Sequence, residues 1–126
     1  MRPVNVLIAD DDESIRSFLR VALCHEAGVG EVREASNGSD AVRICREWVP
    51  DVVLLDYWMP VLDGGGAARA IRLDNPNVRI VAFSGVLQGT PDWADHSFLK
   101  GEPPDLELVV QLAREGLADL PQADAG

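Results

Sequence analysis

The stretch "VVLLDYWMPVLDGG", residues 52–65, decides the fold class of this protein. It begins as an uninterrupted apolar run, which is typical of a strand buried on both faces of a parallel sheet. The run stops at Asp56, and Met59 and Pro60 follow closely and predict a sharp turn. An isolated buried carboxylate is expensive, so it normally has a partner, a metal ion or a reaction. We therefore expect Asp56 to belong to a functional site.

Short apolar runs and helical patterns alternate along the rest of the chain. The runs cover residues 4–9, 31–35, 51–55, 78–83 and 96–99. Apolar residues at helical spacing predict helices after Asp12, after "SNGS" at 36–39, over roughly 66–74 and over roughly 104–118. This alternation predicts an α/β fold, with a parallel sheet covered by helices on both faces and the more polar second run at an edge.

The composition fits one globular domain. The chain has 126 residues, 47% of them hydrophobic, and its 11 basic and 21 acidic residues give a net charge of −10. Such an acidic chain is a poor partner for a nucleic-acid backbone, so we expect no direct contact with one. The sequence begins without a signal-peptide pattern and contains no apolar stretch that approaches a membrane span. Cys24 and Cys45 lie in helical patterns without metal-site spacing, so we expect two buried thiols and a cytoplasmic protein.

Polar residues follow four of the five predicted strands at the point where each strand ends. They are Asp10, Asp11 and Asp12 after the first run, Asp56 after the third, Ser84 after the fourth and Lys100 after the fifth. The carboxyl ends of parallel strands share one edge of the sheet, where ligands of open α/β sheets bind. Carboxylates brought together there stay ionised only with a cation between them, and oxygen ligands favour Mg²⁺. A metal ion beside a carboxylate nucleophile supports formation of an aspartyl phosphate, with a lysine and a hydroxyl on the phosphoryl oxygens.

Four motifs of the sequence are similar to those of a known family. They are "IADDDESIR" at 8–16, "VVLLDYWMPVLDG" at 52–64, "AFSG" at 82–85 and "FLK" at 98–100. Together they resemble the receiver domains of two-component response regulators (CheY-like), over essentially residues 4–118. The resemblance implies a doubly wound sheet of five parallel strands in the order 2-1-3-4-5. It also implies a receiver domain over residues 1–118, followed by a flexible tail or the start of a linker over 119–126.

The resemblance implies a function as well. Asp56 would be the phosphoacceptor, Ser84 the switch hydroxyl and Lys100 the phosphate-binding lysine. The phosphoryl donor would be a sensor histidine kinase or a phosphotransfer protein, and a conformational change would pass the signal to a downstream effector. The domain would be no enzyme beyond self-catalysed phosphoryl transfer and slow autodephosphorylation. Slow autodephosphorylation is expected because Trp58 and Val86, two residues after Asp56 and Ser84, are apolar and position a hydrolytic water poorly.

Magnesium is the cofactor that the resemblance implies. Asp11 and Asp56 would be direct ligands, and the main-chain carbonyl of Trp58 would complete the protein ligands. Asp10 would act through a water molecule. Mg²⁺ usually keeps several waters and takes a phosphate oxygen, which suits so few protein ligands. Asp12 would cap the first helix instead of binding the metal ion.

The region of the fourth and fifth strands departs from the family pattern. Gly101 follows Lys100 where the family has a proline in a cis peptide, and Ser97 stands where the family has an aromatic residue. The stretch 84–95 contains two glycines and a proline and shows no helical face. We therefore expect the family's fourth helix to be short or missing, and little packing to hold this stretch. Many members dimerise through this region, so we expect a monomer here.

Two other functions are open at this point. A phosphorylation-independent module with the same fold would be expected to lack an acid or the lysine, and neither is missing here. A phosphohydrolase similar to the haloacid dehalogenases would pair Asp10 with Asp12 and would need a further acidic pair after Lys100. The stretch "KGEPPDLELV" at 100–109 matches that need poorly, and Asp56 would have no role.

Overall fold

The computed structural model describes residues 2–85 and 89–118, and these residues form five strands and four helices. In chain order they are β1 (Val4–Ala9), α1 (Glu13–Cys24), β2 (Val29–Ala35), α2 (Gly38–Glu47), β3 (Val52–Asp56), α3 (Gly64–Asp74), β4 (Arg79–Ser84), β5 (His96–Leu99) and α4 (Leu106–Ala118). Within the described ranges, no helix has both the length and the apolar character that a membrane crossing requires. The predicted tail at 119–126 lies outside the described residues, and the domain boundary at 118 stays a prediction.

The strands form one parallel sheet in the order β2-β1-β3-β4-β5, which confirms the predicted fold class and strand order. All five residues of β3 are buried, because this strand lies in the middle of the sheet and helices cover both of its faces. β2 forms one edge and exposes Gly30, Glu31 and Arg33. The polar character of the second run therefore predicted its edge position correctly.

Successive residues of the central strands face opposite layers of helices. Leu55 packs in the layer of α2 and α3, whereas Leu54 packs in the layer of α1 and α4. Burial of one large aliphatic side chain stabilises a fold by about 1.5–3 kcal/mol, so a strand packed on both sides is firmly placed. The carboxyl ends of the strands are consequently aligned, with Ala9 opposite Leu55 and Asp56 opposite Phe83.

Polar side chains cap the beginnings of the first three helices. The Ser14 N–H donates a hydrogen bond of 2.8 Å to Asp12 Oδ1, and Asn37 and Asp63 accept equivalent bonds at the starts of α2 and α3. A cap of this kind typically contributes about 1 kcal/mol. The Asp12 carboxylate therefore serves α1, as the sequence predicts.

The connection from β4 to β5, described at residues 85 and 89–95, contains no helix in those residues. We call this described part the β4–β5 connection. The expectation of a short or missing fourth helix is confirmed for it, and α4 of this chain is the helix that follows β5. Residues 86–88, which include Val86, lie outside the described residues.

The β4–β5 connection is nevertheless held firmly at its second half. Trp93 is only 9% exposed. The Asp95 carboxylate accepts a hydrogen bond of 2.8 Å from the Ile80 N–H and one of 2.7 Å from Arg72, and it lies 3.5 Å from Arg79. The expectation of little packing is therefore wrong for residues 93–95, because one aromatic side chain and one shared carboxylate replace the missing helical contacts.

The two cysteines differ, and one of the two predictions for them is wrong. Cys45 is buried in the layer of α2 and α3, and burial raises the pKa of its thiol to about 12. Cys24 is exposed. Each residue of an α-helix is rotated by about 100° from the one before it, so the residue after the buried Leu23 turns away from the core.

Candidate functional site

Four charged side chains meet at the carboxyl edge of the sheet. Asp10 follows β1, Asp11 lies beside it in the turn into α1, Asp56 ends β3 and Lys100 follows β5. The Lys100 Nζ lies 2.9 Å from Asp10 Oδ2 and 3.0 Å from Asp56 Oδ1. We call Asp10, Asp11, Asp56 and Lys100 the acidic rim. The structure thus brings together acids and a lysine that stand far apart in the sequence.

Three carboxylates of the acidic rim are close enough to share one cation. Asp10, Asp11 and Asp56 each offer an oxygen, and these atoms lie within 4.8 Å of one another. Asp10 and Asp56 are buried, whereas Asp11 is exposed, so the group is open to solvent on the Asp11 side. Three negative charges face one lysine, and a small set of oxygen donors is the kind that Mg²⁺ prefers. The residues present therefore fit the ion that the resemblance implies.

Burial governs the charge of Asp56. The residue is 4% exposed, and burial raises the pKa of Asp56 to about 6. The hydrogen bond from Lys100 lowers this pKa, the charge of Asp10 raises it, and the Lys100 charge and the Trp58 N–H lower it again. At neutral pH the Asp56 carboxyl is therefore mostly ionised yet poorly solvated, which favours its action as a nucleophile.

Lys100 keeps its proton in the same surroundings. Burial alone would lower the pKa of Lys100, but hydrogen bonds and ion pairs with Asp10 and Asp56 outweigh burial and raise this pKa. A permanently charged ammonium group between two carboxylates can hold an anionic oxygen that approaches the rim.

Ser84 and Trp58 lie at the same edge of the sheet. Ser84 ends β4, and its carbonyl accepts a hydrogen bond of 2.7 Å from the Lys100 N–H. Trp58 follows β3, and its N–H lies 3.3 Å from Asp56 Oδ1 while the residue is 68% exposed. Both positions agree with the predicted site, whereas the roles of the Ser84 hydroxyl and of the Trp58 carbonyl stay predictions.

The turn after β3 is tight and strained. The Leu62 N–H donates a hydrogen bond of 2.8 Å to the Pro60 carbonyl, which closes a three-residue turn centred on Val61. Val61 has a φ of 72°, and among the described residues it is the one non-glycine residue with a positive φ. For a β-branched residue this conformation costs on the order of 1–3 kcal/mol. The loop that leads away from Asp56 therefore stores strain.

Arg16 is a contact of the site that the sequence reasoning missed. Its Nη1 donates a hydrogen bond of 2.8 Å to the Asp10 carbonyl. A signal for it exists in the sequence, because a long side chain in the second turn of a helix leans back toward the residues that precede the helix. Arg16 stands four residues after the cap Asp12, where its side chain can reach the turn that carries the acids.

One surface cavity lies away from the acidic rim. A cavity of about 670 Å³ lies between α4 and the turn after α1, and Glu26, Val110 and Arg114 are among its lining residues. It shares no residue with the rim. The candidate site is identified by its clustered charges.

Comparison with known proteins agrees with this geometry. The profile of the response regulator receiver domain matches residues 6–94. The chain belongs to the response regulator receiver domain family. This receiver domain is 42% identical over 81 residues to the response regulator UvrY of Escherichia coli, which covers 64% of this chain and 37% of UvrY.

A second relative is protein-glutamate methylesterase/protein-glutamine glutaminase 3 of Myxococcus xanthus. The receiver domain is 37% identical to it over 87 residues, which covers 69% of this chain and 24% of that protein. The chain therefore spans less than two fifths of the length of both relatives.

Solved structures share the fold along most of the chain. The signal receiver domain of the response regulator NarL from Mycobacterium tuberculosis is 28% identical, with a TM-score of 0.79 over 90% of this chain and 98% of that one. The response regulator TrrA from Thermotoga maritima, solved in complex with Mg²⁺-BeF, is also 28% identical. Its TM-score is 0.77, over 89% of this chain and 99% of that one.

The departures from the family pattern have a structural counterpart at β5. The receiver domain has no cis peptide bond in the described residues, and Gly101 follows Lys100 with a φ of 95°. Ser97 Oγ lies 2.9 Å from Thr90 Oγ1. The aromatic residue of β5 is Phe98, which packs in the layer of α1 and α4 with its ring 5.6 Å from that of Phe83. An aromatic is thus present one position later, on the opposite face of the sheet.

Proposed function

We propose that this receiver domain accepts a phosphoryl group on Asp56 in a Mg²⁺-dependent reaction, from a sensor histidine kinase or a phosphotransfer protein. The observation that carries the proposal is the Lys100 ammonium group held between Asp10 and Asp56, beside the exposed carboxylate of Asp11. This arrangement combines a buried nucleophile, a cation for phosphoryl oxygens and carboxylates for a metal ion. The Mg²⁺-BeF complex of the similar TrrA supports the same chemistry here.

The proposed reaction gives each rim residue a task. A carboxylate oxygen of Asp56 attacks the phosphorus atom, and a new O–P bond forms while the bond from phosphorus to the donor breaks. The donor atom leaves with that electron pair. Lys100 holds a phosphoryl oxygen and offsets its negative charge. Asp11, Asp56 and the Trp58 carbonyl would hold Mg²⁺ directly and Asp10 would act through a water molecule; the ion, when bound, neutralises charge on the phosphoryl oxygens.

We propose that the phosphorylated state decays slowly. Trp58 stands two residues after Asp56, and its largely apolar indole offers one N–H donor and no acceptor with which to orient a hydrolytic water. Ser84, at the end of β4, would hold a further phosphoryl oxygen with its hydroxyl. The self-catalysed reaction has no separate substrate to turn over, so the domain would not act as an enzyme in its own right.

The geometry argues against a phosphohydrolase similar to the haloacid dehalogenases. In such an enzyme Asp12 would face the reacting phosphate together with Asp10. Here Asp12 Oδ1 caps α1 through the Ser14 N–H, and the partner that faces Asp10 and Asp56 is Lys100. A phosphorylation-independent module is the remaining alternative, and the complete acidic rim speaks against it.

The phosphorylation experiment uses acetyl phosphate and Mg²⁺ with intact-mass spectrometry. Wild type should gain the mass of one phosphoryl group, Asp56→Asn should gain none, and a chelator should prevent the gain. Asp12→Asn is the matched control, since asparagine caps a helix as well as aspartate does and this variant should be labelled normally. Equal labelling of wild type and Asp56→Asn would refute Asp56 as the acceptor. No labelling of either would favour the phosphorylation-independent module.

We further propose that this domain stays a monomer when phosphorylated and signals to its effector through a local change near the β4–β5 connection. Ser97 is too small to fill the space behind a moving switch hydroxyl, and no helix is present in the described part of that connection. A cytoplasmic location also stays a prediction.

Analytical ultracentrifugation with and without beryllofluoride tests the oligomeric state. The sedimentation coefficient should stay that of a monomer in both conditions. A beryllofluoride-dependent dimer that is lost when exposed residues of α4 are changed, such as Gln111, would contradict the proposal.

A further inference from the structure

Arg16 joins the edge strand β2 to the turn that carries the acids. Its Nη1 donates a hydrogen bond of 2.8 Å to the carbonyl of Asp10, and its Nε lies 3.2 Å from Glu34 Oε1. The side chain is 16% exposed, so water competes little for either contact. One guanidinium group therefore connects α1, β2 and the end of β1.

The carbonyl that Arg16 binds belongs to the peptide bond between Asp10 and Asp11. Because a peptide unit is planar, holding its carbonyl oxygen sets the orientation of the whole unit and of both flanking Cα atoms. The Asp10 side chain has its own restraints, since its Oδ1 accepts from the Asp12 N–H at 2.9 Å and its Oδ2 binds Lys100. Asp11 is exposed, so its direction depends on the peptide unit before it.

Charge balance makes an arginine acceptable beside a cation site. A free guanidinium group near three carboxylates would compete with a metal ion for them. Here Glu34 pairs with Arg16 and also with Arg20, one turn further along α1. The carboxylates of Asp10, Asp11 and Asp56 therefore remain available to a cation while Arg16 holds only a backbone oxygen.

We infer that Arg16 is a positioning residue for the metal site: it fixes the Asp10–Asp11 peptide unit so that the Asp11 carboxylate faces Asp56. The inference rests on the proposed function, because it concerns Mg²⁺ affinity at the acidic rim. Arg16 touches neither the metal ligands' carboxylates nor the phosphoryl group. Its effect passes through the backbone alone.

Arg20 provides a matched control on the same helix. It pairs with the same carboxylate, Glu34 Oε2, and donates a hydrogen bond of 3.1 Å to the Val32 carbonyl. It makes no contact with Asp10. Replacing Arg16 or Arg20 by methionine therefore removes an ion pair to Glu34 in both cases, and only Arg16→Met also releases the Asp10 carbonyl.

The experiment measures Mg²⁺ affinity by tryptophan fluorescence, together with the melting temperature of each variant. Arg16→Met should weaken Mg²⁺ binding about tenfold or more, the usual effect of removing a residue that orients a metal ligand. Arg20→Met should stay within about twofold of wild type, with a similar loss of melting temperature. Arg16→Lys should recover part of the affinity, since its ammonium group can donate to the Asp10 carbonyl. At saturating Mg²⁺, the phosphorylation rate of Arg16→Met should return close to that of wild type.

The outcomes separate this inference from the proposed function. If wild type does not bind Mg²⁺, or if Asp11→Ala binds it equally well, the proposed metal site is wrong. If wild type binds Mg²⁺ through Asp11 while Arg16→Met and Arg20→Met have equal affinities, only the role of Arg16 is overturned. Should Arg16→Met not fold, the Mg²⁺ titrations of Arg16→Lys and Glu34→Gln decide instead. Full wild-type affinity in both variants would refute positioning by the Arg16–Glu34 pair.

Discussion

The acidic rim and the β4–β5 connection lie side by side but affect stability in opposite directions. At the rim, burial raises the pKa of Asp56 to about 6, and the turn that follows holds Val61 at a φ of 72°. In the connection, Trp93 is buried and the Asp95 carboxylate is fully paired. The buried Asp56 carboxyl and the strained turn beside it therefore oppose folding, whereas the β4–β5 connection favours it.

The two regions touch through a pair of aromatic rings. The Tyr57 ring, next to Asp56 in sequence, lies 5.6 Å from the Trp93 ring, and such pairs contribute about 0.5–1.5 kcal/mol beyond the area they bury. The Tyr57–Trp93 contact thus offsets part of the free-energy cost of burying the neighbouring Asp56 carboxylate. This receiver domain keeps its acidic rim although the described part of the β4–β5 connection contains no helix, because Trp93 packs against Tyr57 at the end of β3.

The largest expected effect tests whether the two regions are separable. Trp93→Ala should lower the free energy of unfolding by about 3–5 kcal/mol, because it removes a buried aromatic side chain. Mg²⁺ affinity should remain within about twofold, since Trp93 touches no rim carboxylate. Urea unfolding and a Mg²⁺ titration measure the two quantities. The control Trp58→Ala should cost less than about 1 kcal/mol because its side chain is mostly exposed. Loss of Mg²⁺ binding in Trp93→Ala would show that rim and connection form one unit.

The second effect isolates the charge at the rim. The pKa of Asp56 is about 6 in the folded protein, against 3.8 for an ordinary aspartate carboxyl. Because the folded state holds this proton more tightly, the contribution of Asp56 to the free energy of unfolding falls as pH rises from about 4 to about 6 and stays low above that. Asp56→Asn removes the penalty, so without Mg²⁺ it should be more stable than wild type at about pH 7.5, by up to about 3 kcal/mol. At about pH 4 the difference should shrink, because Asp56 is then protonated in the folded protein and only about half ionised in the unfolded chain.

Urea unfolding of both proteins at the two pH values measures this difference. The Lys100 ammonium loses a charged partner in Asp56→Asn, which reduces the stability gain at high pH. The gain should still be larger at about pH 7.5 than at about pH 4. Asp12→Asn is the control, because Asp12 is an exposed helix cap that asparagine replaces well. A gain in Asp56→Asn that is the same at both pH values would mean that buried charge is not what destabilises the rim.

The smallest effect concerns strain beside the rim. Val61→Gly should raise the free energy of unfolding by about 1 kcal/mol, because glycine adopts a positive φ without strain and Val61, at 83% exposed, loses little packing. Val49→Gly is the control, since Val49 is also an exposed valine but has no positive φ. It should lose about 0.5–1 kcal/mol. Thermal unfolding of the two variants checks that the changes in stability have opposite signs. Equal losses in both variants would mean that the positive φ of Val61 does not destabilise the fold.

The same contrast explains what the sequence could and could not predict. The positions of Asp56 and Lys100 were predictable because each lies at the carboxyl end of a strand, and the carboxyl ends of parallel strands meet at one edge of the sheet. The parallel sheet followed from the alternation of short apolar runs with helical patterns, whereas the strand order 2-1-3-4-5 came from the resemblance to receiver domains. Trp93 and Asp95 were not predictable, since each works through partners that lie far away in sequence, such as Arg72 and Tyr57. A single tryptophan in a stretch rich in glycine and proline carries no periodicity from which burial could be inferred.

Cys24 shows a second limit of sequence patterns. It follows the apolar stripe of α1 closely enough to be counted with it, yet one further residue rotates it into solvent. Whether a residue at the edge of an amphipathic stripe is buried depends on which other parts of the chain pack against it, and the sequence pattern of the helix does not contain that information. Leu19 and Leu23 of the same helix are buried.

The glycines at the start of α3 make some substitutions depend on the order in which they occur. At Gly64 a methyl group would collide with the carbonyl oxygen of Asp56, so no change elsewhere in a side chain could make alanine acceptable there. At Gly65 the nearest atoms belong to the Trp93 ring, 3.2 Å from the position of the methyl group. Alanine is the better helix former, but at Gly65 it requires the Trp93 ring to shift by a few tenths of an ångström. Replacing Trp93 by a smaller residue removes that requirement, so the effect of Gly65→Ala depends on which residue stands at position 93.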